Sequence, residues 1–131
     1  FLNGLPISVA HRKAIPEAFL GVDLGYDADK GRAMLDFITV PWPDIGGLRL
    51  IGSAALGLAY VASGRLDAYI HPLLYPWDVA AAICLVRESG GKITDWEDRP
   101  ATIETRTIAA ANEALHGQFL KLIQGQEPLR F

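Results

Sequence analysis

The sequence is short of several things, and each shortage narrows what the chain can be. It holds one cysteine, Cys84, so no disulfide can form within it. Cys84 lies in an apolar run and is read as a small buried hydrophobe. The 12 Lys and Arg are scattered among 15 Asp and Glu, for a net charge of −3, so there is no basic cluster of the kind that nucleic-acid surfaces need. No apolar run is long enough to span a bilayer, and no signal-peptide pattern is present. The expectation is a cytoplasmic protein with neither a nucleic-acid nor a membrane partner. There is no P-loop, dinucleotide fingerprint, internal repeat or low-complexity segment, and no Ser-His-Asp arrangement can be assembled. Asp23, Asp27 and Asp29 invite a calcium loop, but the template fails. With Asp27 at its first position, the glycine falls on Arg32 and the closing glutamate on Ile38.

What is present is a soluble-type composition, 50% hydrophobic and 21% charged over 131 residues. That is enough for one domain, 1–131, with a sizeable core. Residues 1–10 read as an opening strand with a turn at Asn3-Gly4. Ala18–Val22 is a short apolar run suited to a central strand. A polar loop from Asp23 to Gly31 leads to a helix over 32–39, with Ala33, Met34, Phe37 and Ile38 on one side. Pro41-Trp42-Pro43 ends that helix. A strand at Leu48–Ile51 follows. Ser53 caps a helix running to Ser63, with Leu56, Ala59 and Tyr60 on one face and Gly64 past its end. Asp67–Ile70, Lys92–Thr94 and Thr107–Ala110 are further strands, with a turn near Glu97-Asp98. Asn112 caps a last helix ending near Gln124, and the tail from Gln126 is expected to fray. Strands alternating with helices define an α/β class, a mixed central sheet layered between helices. His11 and His116 are expected at the surface. Arg49 and Arg65 could steer an anion, although solvated arginines are commoner.

The chain is organised around Pro76-Trp77-Asp78-Val79-Ala80-Ala81-Ala82-Ile83, continuing to Glu88-Ser89-Gly90-Gly91. Proline suits the first helical turn and glycine the position past the end, so 76–89 reads as one helix. Val79 to Val86 carries no charge on any face, which predicts burial on nearly all sides. Asp78 is the odd residue. It is either a first-turn acid stabilising the helix N-terminus, typically worth about 0.3–1 kcal/mol, or a ligand held by a rigid element. Gly52-Ser53-Ala54-Ala55 is a second candidate. A helix N-terminus with little side-chain bulk attracts anions, and it equally allows close packing of helix on sheet.

Trp77-Asp78-Val79-Ala80-Ala81 with Glu88-Ser89-Gly90-Gly91 resembles the C-terminal W-D-x-A-A … E-A-G-G signature of the inositol monophosphatase family. Gly52 to Tyr69 is similar to the block that precedes it. Phe1-Leu2-Asn3-Gly4-Leu5-Pro6-Ile7 is similar to the F-x-N-G-x-P-I that opens the family's second domain. The resemblance covers nearly the whole chain and implies the C-terminal half of a larger, Mg²⁺-dependent phosphomonoesterase acting on inositol or related sugar phosphates. It implies that Asp78 is the catalytic metal-binding aspartate and that Gly52, Ser53 and Ala54 contact the substrate through the backbone. The remaining metal ligands, a glutamate and a D-P-x-D-G-T motif, do not occur here and would come from the N-terminal half. A homodimer, a phosphorylated small-molecule substrate and inactivity of the isolated chain are further implications. His71 stands where the family has a glutamate that accepts from substrate hydroxyls, so its role is either substrate binding with altered specificity or none. Gly57 stands where many members carry aspartate, and nothing in the sequence accounts for it. Rival readings are a non-catalytic binding or assembly domain, a fructose-1,6-bisphosphatase and a 3′-phosphoadenosine nucleotide phosphatase.

Overall fold

Apolar residues alternate along the strands, and that alternation decides which helices cover which face of the sheet. A computed structural model describes residues 1–126. It contains β1 (Phe19–Val22), α1 (Ala28–Ile38), β2 (Gly47–Leu50), α2 (Ala54–Ala62), β3 (Ala68–His71), α3 (Pro76–Glu88), β4 (Lys92–Thr94), β5 (Ile108–Ala111) and α4 (Glu113–Gln124). The five strands form one sheet in the order β2-β1-β3-β5-β4. β2, β1 and β3 are parallel, and β5 runs antiparallel to both β3 and β4. Leu20, Val22, Ala68, Ile70, Ala109 and Ala111 pack with α1 and α4 on one face. Tyr69, Ile93, Ile108 and Ala110 pack with α2 and α3 on the other. The expected layered α/β arrangement with a mixed central sheet is therefore the observed one. Among the described residues no helix is long and apolar enough to cross a membrane.

Local signals explain most of the boundaries. Asn112 accepts from the Leu115 N–H at 2.9 Å and starts α4. Ser53 accepts from the Leu56 N–H and starts α2. Gly64 and Gly90 adopt φ of +70° and +82° just past α2 and α3, a backbone conformation that suits glycine at helix ends. The turn near Glu97-Asp98 is present, with both amide and side chain of Arg99 bonded to Asp95.

Several expectations need correction. Residues 1–10 hold only a Leu2–Leu5 bridge around the Asn3-Gly4 turn, and no strand. The segment is pinned instead by the Val9 N–H on the Ser89 carbonyl and by the Asn112 amide on the carbonyls of Ala10 and Arg12. α1 starts at Ala28, a turn before the expected 32, because the Asp27 carboxylate accepts from the N–H groups of Asp29 and Lys30 and caps it there. Its inward side is the expected one. The buried face of α2 is Gly57, Leu58, Val61 and Ala62, whereas Leu56 is exposed and Ala59 and Tyr60 only half-buried. α3 is buried on one side alone, through Val79, Ala82, Ile83 and Val86. Trp77, Ala80, Ala81, Cys84 and Leu85 lie exposed, so Cys84 is not the buried hydrophobe expected. His116 is buried, its Nε2 2.9 Å from the Thr94 hydroxyl. Thr94 in turn donates to the Asp95 carbonyl, so the imidazole is the donor to Thr94. His11 is exposed as expected. Beyond Gln126, the tail lies outside the described residues.

Candidate active site

Three parallel strands deliver their carboxyl ends to the same edge of the sheet, the place where open α/β sheets receive ligands. Asp23 follows β1, Ile51-Gly52 follow β2, and His71 closes β3. A cavity of about 530 Å³ opens there, lined by Asp23, Tyr26, Gly52 to Ala55, His71 and Asp78 among others. Every site residue expected from the sequence, namely Gly52, Ser53, Ala54, His71 and Asp78, lines this one cavity. Arg49 and Arg65 do not. They lie over the rings of Phe19 and Tyr60.

The residue that sequence reasoning missed is Asp23, a buried carboxylate with three partners. Its Oδ1 accepts from the N–H of Ile51 at 2.9 Å and from the N–H of Gly52. Its Oδ2 accepts from the Tyr69 hydroxyl at 2.6 Å. The carboxylate thus ties the end of β1 to the turn that launches α2, and Gly52 makes that turn at φ +75°. Burial, then the bond to Asp23, pushes the Tyr69 phenol well above its usual range, which keeps it a donor. The placement of Asp23 directly after a buried strand was the available signal.

Tyr69 also accounts for Gly57. A Cβ at Gly57 would collide with the edge of the Tyr69 ring at Cε2 and Cδ2, and one at Gly21 would lie 2.6 Å from Leu66 Cδ1 and 2.9 Å from Tyr69 Cδ2. The two glycines leave the space the ring needs to reach Asp23. The helix-propensity cost of Gly57, about 1 kcal/mol against alanine, is what that space requires.

At the start of α2, Ser53 Oγ occupies the Leu56 N–H. The N–H groups of Ala54 and Ala55 have no partner within the helix, since a helix leaves its first donors free. They line the cavity, and with the positive end of the helix dipole they favour an anion.

Asp78 sits at the third helical position of α3. Its Oδ2 accepts from the Tyr75 N–H at 2.9 Å, so part of its work is capping. Among the described residues no group donates a hydrogen bond to the other oxygen. A carboxylate oxygen is a hard donor suited to Mg²⁺, so Asp78 fits as one ligand. Among the described residues no group of three or more His, Cys, Asp and Glu could hold a metal. The chain therefore fits a share of such a site and not a whole one.

His71 is buried. Its Nδ1 accepts from the Leu73 N–H at 3.2 Å, which puts the ring proton on Nε2. Burial pushes its pKa down to about 4, against the opposing pull of Asp23 and Asp78. A histidine that ordinarily titrates near 6.5 is then harder to protonate in the folded protein. Its contribution to stability is complete above about pH 6.5 and is lost as the pH falls towards 4. We expect the unfolding free energy without added divalent cation to drop by about 3 kcal/mol more across that interval in the wild type than in His71→Gln. Parallel urea titrations at stepped pH check this, and identical pH slopes would refute it.

The fold and the cavity define an α/β unit in which a helix N-terminus and a carboxylate face one cavity. The sequence profile of the inositol monophosphatase family matches residues 1–127. The chain is 35% identical over 130 residues to an inositol-1-monophosphatase of Rhizobium meliloti, covering 98% of this chain and 48% of the relative. It is 36% identical over 76 residues to a fructose-1,6-bisphosphatase/inositol-1-monophosphatase of Thermotoga maritima, covering 58% and 30%. A solved IMPase of Thermotoga maritima superposes with a TM-score of 0.86 at 29% identity, covering 95% of this chain and 47% of that one. The chain belongs to the inositol monophosphatase family, and it spans about half the length of the curated relatives it matches.

Proposed function

We propose that residues 1–131 form the C-terminal domain of a Mg²⁺-dependent phosphomonoesterase acting on inositol or related sugar phosphates in the cytoplasm. Asp78 serves as one metal ligand, and Gly52, Ser53 and Ala54, with His71, serve as part of the substrate pocket. The observation that carries this reading is the meeting of Asp78, the free α2 N–H groups and His71 in one cavity. The amides at Ala54 and Ala55 would bind phosphoryl oxygens, and His71 Nε2–H would donate to the alcohol portion of the ester. Asp23 would hold the α2 turn at a fixed distance from β1. Bound Mg²⁺ would activate water and neutralise charge on the phosphoryl group. Asp78 would hold it on the leaving-group side, and the N-terminal half would supply the remaining ligands and orient the water. The exposed apolar side of α3 is consistent with cover by that half or by a second copy in a homodimer.

The test is phosphate release by the full-length protein from inositol 1-phosphate, fructose 1,6-bisphosphate and 3′-phosphoadenosine 5′-phosphate. We expect turnover that chelation abolishes and added Mg²⁺ restores, with none from the 1–131 chain alone. Metal-independent turnover would count against the mechanism. Absence of both turnover and metal-dependent ester binding would favour a binding or assembly domain.

A further inference from the structure

The register of the sheet brings a residue from outside the cavity up against the base of Asp78. In the antiparallel pairing of β3 with β5, His71 lies opposite Ile108. The chain leaving β3 therefore runs beside the chain entering β5. Arg106 stands on that entering segment, against the loop that joins β3 to α3. It holds one residue of the loop through two bonds. The Leu74 N–H donates to the Arg106 carbonyl at 2.7 Å, and Arg106 Nη1 donates to the Leu74 carbonyl at 3.2 Å. The guanidinium also lies 4.9 Å from the centroid of the Tyr75 ring.

Arg106 is exposed, and an exposed arginine is usually solvated or paired with a carboxylate. Among the described residues no carboxylate pairs with this one. Its charge is directed instead at a carbonyl and an aromatic ring, contacts that suit a planar guanidinium. The two residues it touches carry the start of α3. Leu74 is buried and lines the cavity. Tyr75 is the N-cap, and its N–H donates to Asp78 Oδ2 at 2.9 Å. The Tyr75 ring also stacks on Trp77 at 5.2 Å and 11°, but Trp77 belongs to the same helical turn and moves with it. A tilted contact with Tyr26, centroids 6.4 Å apart, comes from a ring that is itself mostly exposed. Arg106 is thus what ties Tyr75 to the sheet. A carboxylate bonded through one oxygen has the other aimed by where its donor stands, so the place of the Tyr75 N–H sets the direction of the free Asp78 oxygen.

We infer that Arg106 is a positioning residue for Asp78. It clasps Leu74 and Tyr75 to the segment entering β5 and so fixes the donor that aims the free carboxylate oxygen. The inference rests on the phosphatase reading for what that oxygen holds, a metal ion, but not for the clasp. Groups that orient a metal ligand typically set metal affinity or activity by roughly 10- to 100-fold. Arg106 acts through the backbone of one such group, so its effect belongs at the lower end of that range.

Arg87 supplies the comparison. Its Nη2 donates to the Ala101 carbonyl at 2.7 Å from the last turn of α3. Arg87→Gln therefore removes an arginine-to-carbonyl bond from the same helix without touching the Asp78 turn. Two measurements on the full-length protein test the inference. The first is a Mn²⁺ titration followed by electron paramagnetic resonance of the free ion, since Mn²⁺ suits the same oxygen ligands as Mg²⁺. We expect Arg106→Gln to weaken binding by roughly 10-fold. Arg106→Lys keeps a donor and loses the planar contact, so it should weaken binding less. Arg87→Gln should leave the affinity unchanged even where its melting temperature falls as far. Wild-type affinity in Arg106→Gln, or equal losses in Arg106→Gln and Arg87→Gln, overturns the inference. The second is amide hydrogen exchange at Leu74 and Tyr75 by NMR, without metal. Faster exchange at both in Arg106→Gln but not in Arg87→Gln supports the clasp, and unchanged exchange refutes it. Should Arg106→Gln fail to fold, Arg106→Lys decides on the same two readouts. If the wild type binds no Mn²⁺, the metal-ligand reading of Asp78 fails while the exchange measurement still decides the clasp.

Discussion

We expect Asp78→Asn in the full-length protein to lower kcat by a hundredfold or more while leaving the fold intact. Asparagine keeps an oxygen where Oδ2 now accepts from the Tyr75 N–H, so the first turn of α3 stays capped. What it removes is the negative charge. If that charge holds a metal ion, the loss is a share of the transition-state stabilisation the ion provides. About 3 kcal/mol of it is about a hundredfold in rate. Asp78→Ala separates the two roles, because it also removes the cap, at about 1 kcal/mol of stability. Circular dichroism melting and steady-state kinetics on both variants check the outcome. Wild-type kcat in Asp78→Asn would sink the metal-ligand assignment and leave Asp78 as a capping residue.

Asp23→Ala is expected to have the largest effect on stability. It strips the Tyr69 hydroxyl, inside a fully buried residue, of its acceptor, and it strips the N–H groups of Ile51 and Gly52 of theirs. A buried polar group left without a partner costs about 1–3 kcal/mol. Water from the cavity can reach the two amides more readily than the hydroxyl, so the sum is about 3 kcal/mol. Against a typical stability of about 5–15 kcal/mol, that shifts the urea midpoint plainly. We expect the turn before α2 to loosen with it and turnover of the full-length protein to fall too. Tyr69→Phe added to Asp23→Ala should recover part of the stability, since it removes the stranded hydroxyl. Additive losses in the double variant would mean that the two groups act independently.

Most of the architecture was legible because helix ends carry their own chemistry. Ser53, Asn112, Pro76 and the glycines at 64 and 90 mark boundaries through local bonds and dihedrals. The start of α1 was misread because an aspartate cap and a polar first turn look like a loop until the side chain is seen to turn back. The buried faces of α2 and α3 were misread for another reason. Both segments are apolar nearly all round, so periodicity cannot choose a face. Which side is covered depends on where the sheet lies. The site was legible where one residue type at one helix position limits the possibilities, as at Asp78 and at Gly52 to Ala54. Asp23 escaped because its partners are 28 to 46 residues away in sequence. Gly57 made no sense alone, since its reason is a ring on a neighbouring strand.

The reversal of direction between β3 and β5 divides the chain into unequal halves. Among the described residues, none that lines the cavity comes after Asp78. Residues 92–126 contribute two strands, a helix and part of the core, but β5 brings its amino end to that edge of the sheet and β4 lies beyond it, at the far side of the sheet. Substitution should therefore be felt differently along the chain. Changes at the cavity-lining residues, all before residue 79, are expected to alter what the protein does, and changes at the core residues of β4, β5 and α4 mainly how firmly it stands.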